Sequence, residues 1–132
     1  MFSLQKIDFS VKQLLERGVE FVALINEHGR IEESACKNDI PLALDKKEIF
    51  WMELKLQNSM QTDFDEFLGT ADYTVTKRGS LKFVSIPFCS KIIFAVLDKK
   101  KNHHNFVRKI ASFAKLGRII QKKTLESEVL NN

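Results

Sequence analysis

Two short apolar runs constrain the fold of this chain more than any other feature. Residues 19–25 read VEFVALI and residues 92–97 read IIFAVL. Both runs are shorter than a typical buried helix and rich in β-branched residues, which is typical of strands that are covered on both faces. Two such strands are expected to lie side by side at the centre of one sheet. The sequence therefore predicts a layered fold around a central sheet.

The segments around these runs alternate between helical and strand patterns. In the helical segments apolar residues recur every three to four positions, and a glycine follows the first two of them, as at helix ends. In the strand segments polar and apolar residues alternate between short turns. The predicted elements are a helix from about Leu4 to Gly18, strands over 19–25 and 30–36, a helix from Asp45 to about Phe67, strands over 72–76, 81–88 and 92–97, and a helix from about Asn105.

Tight turns within each group of strands make neighbouring strands antiparallel. With the two apolar strands adjacent at the centre, the strand order of the five-stranded antiparallel sheet becomes 2-1-5-4-3. The predicted class is α+β, with the element order α-β-β-α-β-β-β-α. We expect one domain over residues 1–124 and a frayed tail over residues 125–132.

Length and composition exclude several classes of protein. A chain of 132 residues can bury a core without disulfide bonds, and two cysteines do not form a disulfide framework. The start of the sequence lacks the pattern of a signal peptide. No run approaches the roughly 20 apolar residues of a membrane span. We therefore expect a cytoplasmic protein.

No pattern predicts catalytic residues, a cofactor site or a metal site. His103 and His104 are neighbours that point in different directions on a helix, and no ligand pair is spaced to join them to His28. The sequence gives no reason to place a histidine beside Cys36 or Cys89, as an activated thiol requires. The glycines are scattered and form no phosphate-binding loop. The sequence thus favours binding over catalysis.

The middle helix has more apolar surface than one sheet can cover. One stripe consists of Ile49, Met52, Leu56, Met60, Phe64 and Phe67. Beside or opposite this stripe lie Phe50, Trp51 and Leu54. A soluble monomer seldom exposes so large a contiguous patch. We therefore predict a homodimer, and its interface residues are Phe50, Trp51 and Leu54 on the helix and Tyr73 and Val75 on the edge strand.

The final helix carries the strongest polar feature of the sequence. Arg108, Lys115 and Lys122 recur at seven-residue steps and so share one side of the helix, with Lys109 beside Arg108. These four residues are a candidate polyanion-binding site, because a basic stripe can contact phosphates, anionic lipid head groups or an acidic protein. A solvated outer helix face has the same pattern, so both interpretations stay open.

The order of the elements and two segments of sequence resemble the Roadblock/dynein light chain family. The segments are the first hairpin, VEFVALINEHGRIEES, and the last, KFVSIPFCSKIIFAVLDKK. The resemblance covers roughly residues 4–116. It implies a homodimer or heterodimer formed through the middle helix and the adjacent edge strand. It also implies a scaffold or regulator of small Ras-like GTPases or motor complexes. Profilin-like, PAS-like and longin-like domains have similar layouts.

Three functions remain as hypotheses. The first is a non-enzymatic, dimeric protein-interaction module of Roadblock type that acts on a small Ras-like GTPase. The second is a PAS-like or profilin-like sensory domain that holds a small ligand against the sheet, although such a pocket should retain polar groups and the sequence offers few. The third is a weak polyanion or nucleic-acid binder that acts through the basic residues between 99 and 123.

Overall fold

The computed structural model describes residues 10–112, which form the predicted α+β layout. Five antiparallel strands make one sheet in the order β2-β1-β5-β4-β3, so the predicted strand order is confirmed. The strands are β1 (Val19–Ile25), β2 (Ile31–Cys36), β3 (Thr74–Arg78), β4 (Leu81–Phe88) and β5 (Lys91–Asp98). The helices are α1 (Leu44–Thr62), α2 (Asp65–Leu68) and α3 (residues 103–112).

The two apolar runs are neighbouring strands at the centre of the sheet. Val22 of β1 pairs with Ala95 of β5, and Ala23 pairs with Phe94, in an antiparallel register. All four side chains are fully buried. Both faces of the sheet are therefore covered there, as the almost wholly apolar sequence of these strands predicts.

Each face of the sheet has its own core. One face carries mainly aliphatic side chains and is covered by α3 through Phe106, Val107 and Ile110. The other face is rich in aromatic side chains and is covered by α1, whose Trp51 is buried among them. The sheet is thus the middle layer between two helices.

The predicted first helix is wrong over the residues that the structure describes, from residue 10 onward. There the chain forms a four-residue 3-10 turn, Val11–Leu14, and it is already extended at Leu15. Val11 and Leu14 are buried in the aliphatic core, which explains why the apolar spacing is helical. The start predicted near Leu4 lies outside the described residues, as do the domain end predicted at residue 124 and the tail predicted over 125–132.

Helix α1 differs from its prediction at both ends. It begins at Leu44 after Ala43, one residue before the predicted start at Asp45. The Asp45 carboxylate lies in the first turn, where it suits the positive end of the helix dipole. The helix ends at Thr62, and the short α2 follows before Gly69, whose φ of 84° is a left-handed value. The single helix predicted to run to about Phe67 is therefore two helices.

Candidate functional site

The inner side of α1 is defined by Phe50, Trp51 and Leu54, which face the sheet. The Trp51 ring stacks on Phe21 of β1, with 5.9 Å between the ring centroids and 7° between the planes. The Phe50 ring meets Phe94 of β5 edge-on at 5.6 Å. Leu54 packs against the same aromatic core. The prediction that these three residues form the surplus apolar surface is wrong, because they close the core of the monomer.

The surplus apolar surface lies on the opposite side of the same helix. We call Ile49, Met52, Leu56 and Met60 the outer stripe. Their exposed fractions run from 44% for Met52 to 66% for Met60. The outer stripe continues at the end of the helix into exposed Phe64, Phe67 and Leu68. Monomers seldom expose such a row of large apolar side chains without a partner.

Strand β3 lies at one edge of the sheet, next to this end of α1. The Gln61 side-chain amide donates to the Thr74 hydroxyl at 3.3 Å, which ties the helix to the start of the strand. Of the other two predicted interface residues, Tyr73 and Val75 both pack partly against the aliphatic core on the face away from α1. The structure therefore places those two side chains and the outer stripe on different faces of the sheet.

The main chain of β3 has an open side. A two-residue turn with Gly79 at φ 57° joins Arg78 to Leu81, and such a turn closes on a hydrogen-bonded pair. Because hydrogen-bonded and non-hydrogen-bonded pairs alternate along an antiparallel ladder, the backbone groups of Val75 and Lys77 should face away from β4. They form an edge that another strand can join.

No known family model matches the sequence, and no curated protein matches it. Its fold, however, is similar to several solved structures. A Roadblock/LC7 domain from Streptomyces avermitilis has a TM-score of 0.63 at 11% identity, over 84% of this chain and 93% of that one. MglB from Myxococcus xanthus has a TM-score of 0.58 at 10% identity, over 79% and 85%. The gliding protein MglB from Thermus thermophilus has a TM-score of 0.59 at 12% identity, over 86% and 85%. The chain has a Roadblock-like fold.

This Roadblock-like fold has little free space between α1 and the sheet. The rings of Phe21, Phe50, Trp51, Phe83 and Phe94 contact one another there, with centroids 5.4 to 6.3 Å apart. Two small cavities beside them measure about 150 and 10 Å³. Pockets for small ligands usually measure roughly 300–1,000 Å³. The position that the sensory-domain hypothesis requires is thus filled by side chains.

A larger groove, of about 780 Å³, lies at the β3 edge between the end of α1 and α3. Its lining combines Gln61, Tyr73 and Pro87 with His104 and Arg108. These residues come from four separate segments, which is why the sequence pattern does not reveal the groove. A ligand held there would lie at the margin of the sheet and not against its face.

The predicted histidine and cysteine positions are scattered over the structure. Cys36 and Cys89 are both exposed. The His103 Nδ1 lies 3.3 Å from the Lys82 Nζ, and burial together with this cation lowers the pKa of His103. Within residues 10–112, no three histidine, cysteine or acidic side chains are grouped so that they could hold a metal ion. No helix in the same range is long and apolar enough to span a bilayer.

The positive charge of the described residues is concentrated away from the predicted basic stripe. Lys109 lies 3.6 Å from a Glu16 carboxylate oxygen, Arg108 lines the groove, and Lys115 and Lys122 lie outside the described residues. At one end of the sheet, the segment before β1, the β3–β4 hairpin and the loop after β5 present five exposed cations, namely Arg17, Lys77, Arg78, Lys99 and Lys100. Backbone hydrogen bonds join these three segments, from the Asp98 N–H to the Gly18 carbonyl and from the Lys99 N–H to the Ser80 carbonyl. Polyanion binding through the basic stripe stays a prediction.

Proposed function

We propose that this chain is a non-enzymatic, dimeric interaction module that acts as a scaffold or regulator of a small Ras-like GTPase. The observations that carry the proposal are the outer stripe on α1 and the open edge of β3. The hydrogen bond from Gln61 to Thr74 ties the end of α1 to the start of β3, and each feature calls for a partner on physical grounds.

A second copy of the chain fits both features. A two-fold axis perpendicular to the sheet pairs two β3 strands in antiparallel orientation and makes one continuous sheet. The same axis puts both α1 helices on one face, where the two outer stripes can pack together. Leu56 and Met60, which are 57% and 66% exposed, then lie near the centre of an apolar interface. Phe50, Trp51 and Leu54 support the helix from below and do not contact the partner.

The partner class comes from the Roadblock resemblance, which implies small Ras-like GTPases. The Roadblock-like fold supports this assignment, and so does the lack of space for a ligand beneath α1. The dimer would offer the GTPase a broad surface made by two copies. The experiment for this step is calorimetric titration of purified small Ras-like GTPases from the same organism, each loaded with GDP or with a non-hydrolysable GTP analogue. We expect one of them to bind with a preference for one nucleotide.

The dimer is tested by changing the outer stripe alone. The chain has a mass of 15.3 kDa, so light scattering should give about twice this mass at micromolar concentration. Leu56→Lys places a charge at the centre of the proposed interface and should give a monomer. Leu44→Lys is the matched control, because Leu44 lies on the same helix and is 75% exposed but off the stripe. A monomeric native protein, or equal behaviour of the two variants, would contradict the proposal.

A further inference from the structure

We propose that a reciprocal ion pair between Arg78 of one copy and Asp72 of the partner copy sets the register of the dimer. This inference rests on the proposed dimer and adds the feature that specifies how its two edge strands align. Hydrophobic contact between two outer stripes is tolerant of sliding, whereas a strand pair must select one alignment. Charged side chains at the ends of β3 can make that selection.

The two ends of β3 carry opposite charges. Asp72 lies two residues before the first residue of the strand, and Arg78 is its last residue. Both side chains are exposed. Within residues 10–112 neither lies within 4 Å of an oppositely charged group, and Asp72 lines the groove at the β3 edge. The Arg78 guanidinium lies 5.9 Å from the centroid of the Phe83 ring, which holds it on the α1 side of the sheet.

The alternation of the strand puts both charges on the same face. Arg78 pairs with Leu81, and Thr76 pairs with Phe83, and both partners belong to the aromatic core beneath α1. Tyr73 and Val75 pack on the other face. Because side chains alternate along an extended chain, Asp72 is expected on the face that Arg78 occupies. A two-fold axis perpendicular to the sheet keeps this face common to both copies.

Antiparallel pairing then brings the opposite charges together. If the axis passes beside Val75, Arg78 lies directly opposite Asp72 of the partner copy. If it passes beside Thr76, the two are diagonal neighbours about 7–8 Å apart, which an arginine side chain can span. Each dimer contains the pair twice, once at each end of the strand junction.

Other alignments bring like charges together. Sliding the strands towards their carboxyl ends places Lys77 and Arg78 opposite the same residues of the partner. Sliding them towards their amino ends places Asp72 opposite Asp72. Like charges directly opposite each other are destabilising in a strand pair. The charges therefore favour the centred register and also disfavour the shifted ones.

Sedimentation equilibrium of charge-exchanged variants tests the pair. Arg78→Glu alone leaves two carboxylates facing each other at each end of the junction, and Asp72→Arg alone leaves two guanidinium groups there. Each single variant should weaken the homodimer about tenfold or more at low salt, since two exposed pairs become two repulsions. In an equimolar mixture, the heterodimer of the two single variants has opposite charges at both ends, so it should form in preference to either homodimer. The double variant restores a complementary pair at both ends within one homodimer and is the decisive rescue. It should recover a homodimer of nearly native affinity.

The controls separate this inference from the dimer itself. Lys77→Glu makes the same charge change on the other face, and combining it with Asp72→Arg in one chain should not restore affinity. Arg78→Gln should weaken the dimer less than Arg78→Glu does. A native dimer whose affinity is unchanged in the single variants, or weakened single variants that the double variant does not rescue, would overturn the ion pair and leave the dimer standing. A native protein that stays monomeric would instead overturn the proposed function.

Discussion

The two edges of this sheet are built in opposite ways. At the β2 edge, Glu32 pairs with Lys91 of β5 at 2.9 Å. Glu33 accepts a hydrogen bond from the Val11 N–H at 3.0 Å and another from the Ser10 hydroxyl. The 3-10 turn is thereby fixed against this edge by the chain itself. Charged residues and a covering segment are common means of protecting an edge strand.

The β3 edge has no covering segment within residues 10–112. Its side chains on the α1 side are Thr74, Thr76 and Arg78, and its open backbone groups are those of Val75 and Lys77. The outer stripe lies on α1, whose end is tied to the start of β3 by the Gln61–Thr74 hydrogen bond. A sheet that closes one edge with its own chain and leaves the other open directs association to a single side. This difference is the physical basis for proposing a closed dimer in place of a chain of copies.

A proline substitution in each edge strand is the clearest test of whether the two edges differ. Val75→Pro removes a backbone donor that the partner strand requires, while proline keeps most of the apolar volume. We expect the dissociation constant of the dimer to rise at least about 100-fold, which corresponds to roughly 2.7 kcal/mol. The measurement is sedimentation equilibrium, with circular dichroism to show that the strands are retained.

Ser34→Pro is the matched change at the β2 edge. The hydrogen bond from the Lys37 N–H to the Glu20 carbonyl, 2.8 Å, sets the alternation of that ladder, so the Ser34 N–H should also face outward. The dimer affinity should change by no more than about twofold, because this edge has no partner strand. If Ser34→Pro dissociates the dimer as well, the two edges do not differ in the way proposed.

The strands and their order were predictable because burial leaves a direct pattern in a strand. Apolar residues on both faces of a strand predict a central position, so the two apolar runs were expected to be neighbours. The pairing of Val22 with Ala95, both fully buried, confirms this. Helix α1 was harder, because it has two apolar sides. Periodicity separates the side with Phe50 and Trp51 from the side with Leu56, but it does not say which side meets the sheet. The aromatic partners on β1 and β5 decide this, and their position becomes known only from the fold.

Removing the anchor of the closed edge should have an intermediate effect. Glu33→Ala leaves the Val11 N–H without its acceptor, and Val11 is buried, so we expect a loss of about 1–3 kcal/mol in the free energy of unfolding. Urea denaturation measures the loss. Glu32→Ala, its neighbour, removes only a partly exposed ion pair and should cost no more than about 1 kcal/mol. Equal losses would mean that the turn is not held by Glu33.

A change to mildly acidic pH should have the smallest effect on stability. It acts on a contact of β4, the strand next to the open edge. Lys82 of β4 is buried, and its Nζ donates to the Lys101 carbonyl at 2.8 Å and lies 3.3 Å from the His103 Nδ1. Burial of the imidazole, and then the charges of Lys82 and Lys77, lower the pKa of His103 below its ordinary value of about 6.5. As the pH falls through about 6.5, the unfolded chain therefore takes up a proton before the folded one does, and the folded state loses stability until the lowered pKa is passed.

The urea midpoint should decrease between pH 7.5 and pH 5, and His103→Gln, which keeps an acceptor for Lys82, should reduce that decrease. An identical pH dependence in this variant would show that the imidazole does not control the docking of α3 against β4.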